Sequence, residues 1–65
     1  MRIDLNGSPT EIAARTLAEA LCELGYGASA IATALNGSFV PATARARTPL
    51  REGDRVEVLA PMQGG

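Results

Sequence analysis

SPTEIAARTLAEALCEL, residues 8–24, is the stretch that decides the fold. It opens with the Ser-x-x-Glu pattern of a capping box, so it could be read as one long helix. The apolar residues of its second half recur at helical spacing: Leu17, Ala20, Leu21 and Leu24. Ile12 would lie about 140° away from that stripe at about 100° per residue, so it belongs to another element. The sequence therefore predicts a strand over residues 8–14 and a separate helix over residues 17–24.

The predicted helix carries its own start and stop signals. Thr16 and Glu19 form a second Ser/Thr-x-x-Glu pattern, which places the N-cap at Thr16, where the apolar stripe begins. Gly25 stands where a left-handed residue commonly ends a helix. These signals favour the short helix over the long one.

Two Asn-Gly pairs predict two hairpins. Asn-Gly is the strongest short-range hairpin signal, because a type I′ turn needs positive φ at both central residues. Asn6-Gly7 would join a strand over residues 1–5 to the strand over residues 8–14. Asn36-Gly37 would join a strand over residues 31–35 to one over residues 38–40, which ends at a proline.

The last third of the chain predicts a connection and a final strand. Residues 42–51 are polar, bear arginines and contain a proline, which favours an irregular or short 3₁₀ connection across the surface. After a turn at residues 52–54, residues 55–59 alternate, with Val56 and Val58 facing inward and Leu59 outward.

Composition excludes several classes of function. A chain of 65 residues forms one small domain without room for a deep catalytic cleft, and its aliphatic apolar residues predict a small core. The net charge of −1, without a basic stripe, argues against a nucleic-acid partner. The sequence has no membrane-length apolar run and no secretory leader, so we expect a cytoplasmic protein. One cysteine and no histidine exclude an internal disulfide and argue against a transition-metal site or an imidazole base.

The chain closes on Gly64-Gly65, an ending that folding does not require. Glycine has no side chain to pack and loses the most backbone freedom on ordering. A narrow, flexible strip of this kind suits the insertion of a terminal carboxylate into the active site of another protein. The alternative interpretation is a frayed end, since termini are often disordered whatever their composition.

The order of elements is that of the ubiquitin-like β-grasp, an α+β fold in which one helix crosses a mixed sheet of about five strands. Within that order, Leu50-Arg51-Glu52-Gly53-Asp54-Arg55-Val56 carries a Leu-x-x-Gly-Asp-x-Val motif, and Gln63-Gly64-Gly65 ends the chain. On these motifs the whole chain resembles the thiamine-pathway sulfur carrier family (ThiS). Many relatives have an arginine after Val40-Pro41 and a tryptophan soon after it, and this chain has neither there, having Ala42-Thr43-Ala44-Arg45 instead. We accordingly expect a β-grasp domain over residues 1–61 and a flexible reactive tail over residues 62–65.

The resemblance implies a carrier and not an enzyme. A partner adenylating enzyme (ThiF-like) would use ATP to activate the carboxylate of Gly65, and a persulfide donor would convert it to a thiocarboxylate. Gly64 would let the tail pass through a channel too narrow for a Cβ. A thiazole synthase (ThiG-like) would then receive the sulfur for the thiazole ring of thiamine. The carrier itself would bind no cofactor and no metal, and we expect it to be monomeric when alone.

Three further features have a functional and an ordinary interpretation. Cys22 lies off the helical stripe and could relay a persulfide, but an isolated helical cysteine is usually a small packing residue. The carboxylates of residues 52, 54 and 57 could form an acid/base cluster, although a solvated face that steers a basic partner is the simpler interpretation. Leu59 and Met62, beside the tail, are the residues we expect to contact a docked enzyme.

Other functions stay open at the level of sequence. The small subunit of molybdopterin synthase and the carriers for cysteine synthesis or tRNA thiolation use the same fold and ending. A ubiquitin-like protein modifier, or an interaction domain with an incidental tail, is the alternative from a different class.

Overall fold

The computed structural model describes residues 1–27 and 30–60. Its elements are β1 (Arg2–Leu5), β2 (Ser8–Glu11), α1 (Leu17–Glu23), β3 (Ala32–Leu35), β4 (Ser38–Val40), a 3₁₀ helix (Ala42–Arg47) and β5 (Arg55–Leu59). None of the described helices is both long and apolar enough to cross a membrane. The predicted order of elements is confirmed, including the 3₁₀ connection.

The strands form one mixed sheet in the order β2-β1-β5-β3-β4. β1 and β5 pair in parallel at the centre, and the other neighbouring strands pair antiparallel. A parallel pair needs a crossover connection, and α1 belongs to that crossover. The five-stranded sheet crossed by one helix confirms the predicted ubiquitin-like β-grasp.

Both Asn-Gly pairs form the predicted hairpin turns. Asn6 and Gly7 have φ values of 51° and 88°, and Asn36 and Gly37 have φ values of 50° and 86°. Positive φ at both central residues is the requirement of a type I′ turn, whose twist matches the flanking strands. Each turn thereby fixes its register, which pairs the leucine before the turn with the serine after it.

β2 is shorter than predicted, because it ends at Glu11 and not at residue 14. The carboxylate of Glu23 on α1 accepts hydrogen bonds from the backbone N–H groups of Ala13 and Ala14, at 3.0 and 2.9 Å. Backbone pairing still continues for one residue past Glu11, since the N–H of Ile12 donates to the Met1 carbonyl at 2.8 Å and the Met1 amino group donates to the Ile12 carbonyl at 2.7 Å. Ala13 and Ala14 then bond the helix. Ile12 nevertheless stays outside the helix and is buried, as the break in periodicity predicts. β1 and β3 each begin one residue later than predicted.

The helix begins as predicted and ends one residue early. The Thr16 hydroxyl accepts from the N–H of Glu19 at 3.2 Å, while the Glu19 carboxylate accepts from the N–H of Arg15 at 3.1 Å. A standard capping box would bond the N–H of the cap residue itself. Leu24 is the C-cap, and Gly25 follows it with φ of 93° in the left-handed region.

The core lies between the helix and one face of the sheet. Its buried apolar side chains are all aliphatic, as composition predicts: Ile3, Ile12, Leu17, Ala20, Leu21, Val40, Leu50, Val56 and Val58. Thr33 is buried beside them. Leu50 comes from the connection after the 3₁₀ helix, so that connection contributes to the core and does not only cross the surface. It is tied to the start of α1 by backbone bonds from Leu17 to Thr48 and from Leu50 to Arg15, at 2.9 and 2.8 Å.

Candidate functional site

The C-terminal residues of the chain follow directly from β5. Val56 and Val58 are buried and Leu59 is exposed, as the alternation predicts. The inward-facing side chains therefore pack into the core up to Val58, one residue before the strand ends. Ala60 is the last described residue. Met62, Gly64 and Gly65, the predicted tail residues, lie outside the described residues. The described part of the candidate site is the strand that leads to them.

The face of the sheet opposite α1 carries an apolar groove beside this exit. Strand register places Ala32 next to Leu59, and Ala34 next to Phe39, on that face. Leu59 and Phe39 are 71% and 70% exposed, and the two alanines between them are too small to fill the gap. We call this surface, lined by Ala32, Ala34, Phe39 and Leu59, the exit groove. Its volume is about 400 Å³.

The exit groove has a polar side. Glu57 lies next to Ala34 across the strand pair and also lines the cavity, as does Asn6 at the end of β1. The groove therefore offers two large apolar side chains, a floor of small residues and one exposed carboxylate. Such a surface suits an apolar partner side chain accompanied by a cation, because exposed apolar area beside a complementary charge favours association.

Phe39 was not among the residues that the sequence analysis selected, although a signal for it exists. A two-residue Asn36-Gly37 turn pairs Ala34 with Phe39 and Thr33 with Val40. Since Thr33 faces the core, its partner Val40 also does, and Phe39 must point outward. The hairpin register was enough to place Phe39 on the surface that carries Leu59.

Side-chain amides hold β5 on both of its edges. The N–H of Val58 donates to Asn6 Oδ1 at 2.8 Å, and Asn6 Nδ2 donates to the Val58 carbonyl at 3.2 Å. On the other edge, the N–H of Arg55 donates to Asn36 Oδ1 at 2.9 Å. The two asparagines thus serve in the turns and also bond the central strand, a second use that the hairpin signal does not predict.

Two of the three carboxylates after residue 51 stabilise the backbone. Glu52 accepts from the N–H of Arg2 at 3.0 Å. Asp54 accepts from the N–H of Arg51 at 2.8 Å and from Asn36 Nδ2 at 3.1 Å. Only Glu57 extends into the exit groove. The arrangement is structural and does not resemble paired groups poised for acid/base work.

Cys22 lies on α1, in the layer opposite the exit groove, and its side chain is exposed. Within residues 1–27 and 30–60, no three or more His, Cys, Asp or Glu side chains come together as a metal site would require. The body of the domain thus presents a surface next to its exit and brings together no catalytic constellation among its described residues.

Three comparisons with known proteins agree with this geometry. The sequence model of the ThiS family matches residues 3–65. The sulfur carrier protein ThiS of Thermus thermophilus is 43% identical over 61 residues, which cover 94% of this chain and 95% of that protein. The crystal structure of the thiamine biosynthesis protein ThiS from Geobacter metallireducens superposes with a TM-score of 0.83, at 30% identity and with 100% of both chains covered.

Proposed function

The chain belongs to the ThiS family of sulfur carrier proteins, and we propose that Gly65 carries the sulfur, as a thiocarboxylate destined for the thiazole ring of thiamine. The observation that carries this proposal is the position of the exit groove. An open apolar surface borders the point where the chain leaves the sheet toward Gly64-Gly65. A docked enzyme that covers the groove would lie next to the tail it must receive.

The chemistry requires little of the carrier beyond its terminus. A carboxylate is a poor electrophile, so an adenylating enzyme first transfers AMP from ATP to the Gly65 carboxylate and releases pyrophosphate. The terminal sulfur of a persulfide then attacks the acyl carbon, and AMP leaves. This attack leaves an acyl disulfide between Gly65 and the donor. A thiol then attacks the donor's own sulfur, the S–S bond to the acyl group breaks, and the products are a disulfide of thiol and donor and the thiocarboxylate on Gly65. Acid, base and ATP-binding groups all belong to the partner enzymes, so the protein acts as a co-substrate.

The folded domain serves to position the C-terminal carboxylate in the active site of the partner enzyme. Its small aliphatic core and five-stranded sheet provide a rigid body, and binding energy from a rigid surface can hold the reacting group in place. Gly64 adds no Cβ to the strip that must enter the active site. Leu59 and Phe39 supply the apolar contacts, and Glu57 favours a basic residue on the enzyme.

The same tail must visit more than one protein. The adenylating enzyme, the persulfide donor and the thiazole synthase each need access to the carbonyl carbon or the sulfur on Gly65. Since one tail enters one active site at a time, these partners dock in succession. The exit groove borders the end of β5 at Leu59 and is a surface that all of them could use.

Reconstitution tests the proposal. The protein is incubated with ATP, a persulfide donor and the cognate adenylating enzyme, and the products are read by intact mass and by fragmentation of the C-terminal peptide. We expect one oxygen to be replaced by one sulfur at Gly65. A chain lacking Gly65 should stay unmodified while keeping its melting temperature, because the core of the described residues is built from Ile3 to Val58.

Cys22→Ser is the matched control. A persulfide on Cys22 would add a whole sulfur atom to the mass, whereas a thiocarboxylate exchanges oxygen for sulfur. The variant should therefore be loaded like the wild type. An added sulfur that disappears with Cys22→Ser, together with an unchanged C-terminal peptide, would refute the assignment to Gly65.

A further inference from the structure

Asn6 makes contacts with β5 that its place in a turn does not explain. The last backbone bond from β1 to β5 on this edge runs from the N–H of Asn6 to the Val56 carbonyl, at 2.9 Å. The chain then turns away at Gly7, and the Asn6 amide takes the place of the next rung by bonding both the N–H and the carbonyl of Val58. The side chain thus extends the parallel ladder by one residue of β5.

The Asn6-Gly7 turn can form without the side-chain amide of Asn6. At a φ of 51°, a glycine meets no steric cost, and a Gly-Gly pair also forms type I′ turns. The side chain does hold the strand immediately before its exit. Val58 is followed by Leu59 and then by Ala60, and both Asn6 and Val58 line the exit groove.

We propose that Asn6 is a positioning residue for the carrier reaction. Its amide fixes the backbone of Val58, so the chain leaves the sheet in one direction relative to the exit groove. This inference rests on the proposed function, because the direction matters only if the tail must enter a docked active site. Asn6 acts through the strand and touches no reacting atom.

The contacts expected to matter for docking and those expected to set the direction of the tail lie on opposite edges of β5. Leu59 is paired with Ala32 on the β3 edge, and that pairing does not involve Asn6. Loss of the amide leaves the apolar side chains of the exit groove in place, removes one polar group from its lining, and releases the strand on one edge only. Docking persists, while the tail occupies the productive geometry less often. Loss of alignment of this kind lowers kcat, and KM changes little.

Asn36 is a built-in control. It has the same φ within one degree, it precedes a glycine in the same type of turn, and its amide also bonds β5. Its contacts, however, are to Arg55 and Asp54, at the beginning of the strand and away from the exit. Asn6→Gly and Asn36→Gly each delete one amide with two hydrogen bonds and keep the turn.

The experiment compares the two variants in the adenylation reaction, with melting curves and amide hydrogen exchange measured alongside. Both should lose a similar amount of melting temperature. Asn6→Gly should show faster exchange at the N–H of Val58 and a kcat lowered by about tenfold. Its KM should change less than that of Leu59→Glu, because Asn6 contributes only one polar group to the groove lining. Asn36→Gly should keep the wild-type kcat. Equal kcat losses in both variants, or wild-type kcat in Asn6→Gly, would overturn the inference.

A second variant covers the case in which Asn6→Gly does not fold. Asn6→Asp tolerates the positive φ and keeps an acceptor for the N–H of Val58, but it cannot donate to the Val58 carbonyl. A lowered kcat in this variant supports the inference, and an unchanged kcat contradicts it. The wild-type chain runs in the same assay: if it is not adenylated, the proposed function fails as well, whereas normal reaction of the variants refutes only the role of Asn6.

Discussion

Replacing Leu59 by glutamate tests whether the exit groove is the docking surface. Complete burial of a leucine side chain stabilises by about 1.5–3 kcal/mol. Leu59 is 71% exposed, so about 1–2 kcal/mol is left for burial under a partner. At about 1.4 kcal/mol for each tenfold change, its loss should raise the apparent KM of the adenylating enzyme by about 5- to 30-fold. The new carboxylate also stands two residues from Glu57 on the same face, which opposes docking further.

The fold should tolerate the change, because residue 59 faces away from the core that Val56 and Val58 enter. Cys22→Glu makes the same change in charge at an exposed position on α1, in the opposite layer, and should leave KM unchanged. Steady-state kinetics with the carrier as the varied substrate gives KM and kcat, and circular dichroism with melting checks the fold. A folded Leu59→Glu variant with wild-type KM, or an equal loss in Cys22→Glu, would refute the assignment of the groove.

Two further substitutions test the packing that supports the site. Ile3→Ala removes a side chain that is 1% exposed at the centre of the core and should lower the free energy of unfolding by about 2–5 kcal/mol. Urea denaturation measures this change, and a loss below about 1 kcal/mol would contradict the assigned core. Thr16→Ala removes the acceptor for the N–H of Glu19 and should cost about 1 kcal/mol, seen as a lower melting temperature. Thr16→Ser, which keeps the hydroxyl, should recover most of that loss, and an equal loss in both variants would argue against the cap.

Local rules predicted most of the fold from the sequence. The two Asn-Gly turns need only the φ preferences of two adjacent residues, and each turn then fixes the register of its hairpin. The break in periodicity between Ile12 and the helical stripe separated strand from helix within a window of a few residues. The alternation in β5 predicted the exposure of Leu59.

Contacts between distant residues explain what was missed. The pairing of β2 with the first strand ends with the hydrogen bonds between Ile12 and Met1, and the N–H groups of Ala13 and Ala14 then bond the Glu23 carboxylate on the helix. No pattern within residues 8–14 indicates that contact. The bonds from Asn6 and Asn36 to β5 depend on the strand order, which places β5 between the two hairpins. Phe39 could have been placed from the hairpin register, and its proximity to Leu59 then follows from the pairing of β3 with β5.

The role of the terminus is predicted from the Gly64-Gly65 ending and from the family resemblance, since both residues lie outside the described residues. The most direct test is the intact mass of the protein purified from its native host while the cells make thiamine. The account predicts a fraction in which one sulfur replaces one oxygen, with fragmentation placing the change on Gly65 and wild-type mass elsewhere. A C-terminal peptide that remains an unmodified carboxylate, in cells shown to be forming the thiazole ring, would contradict it.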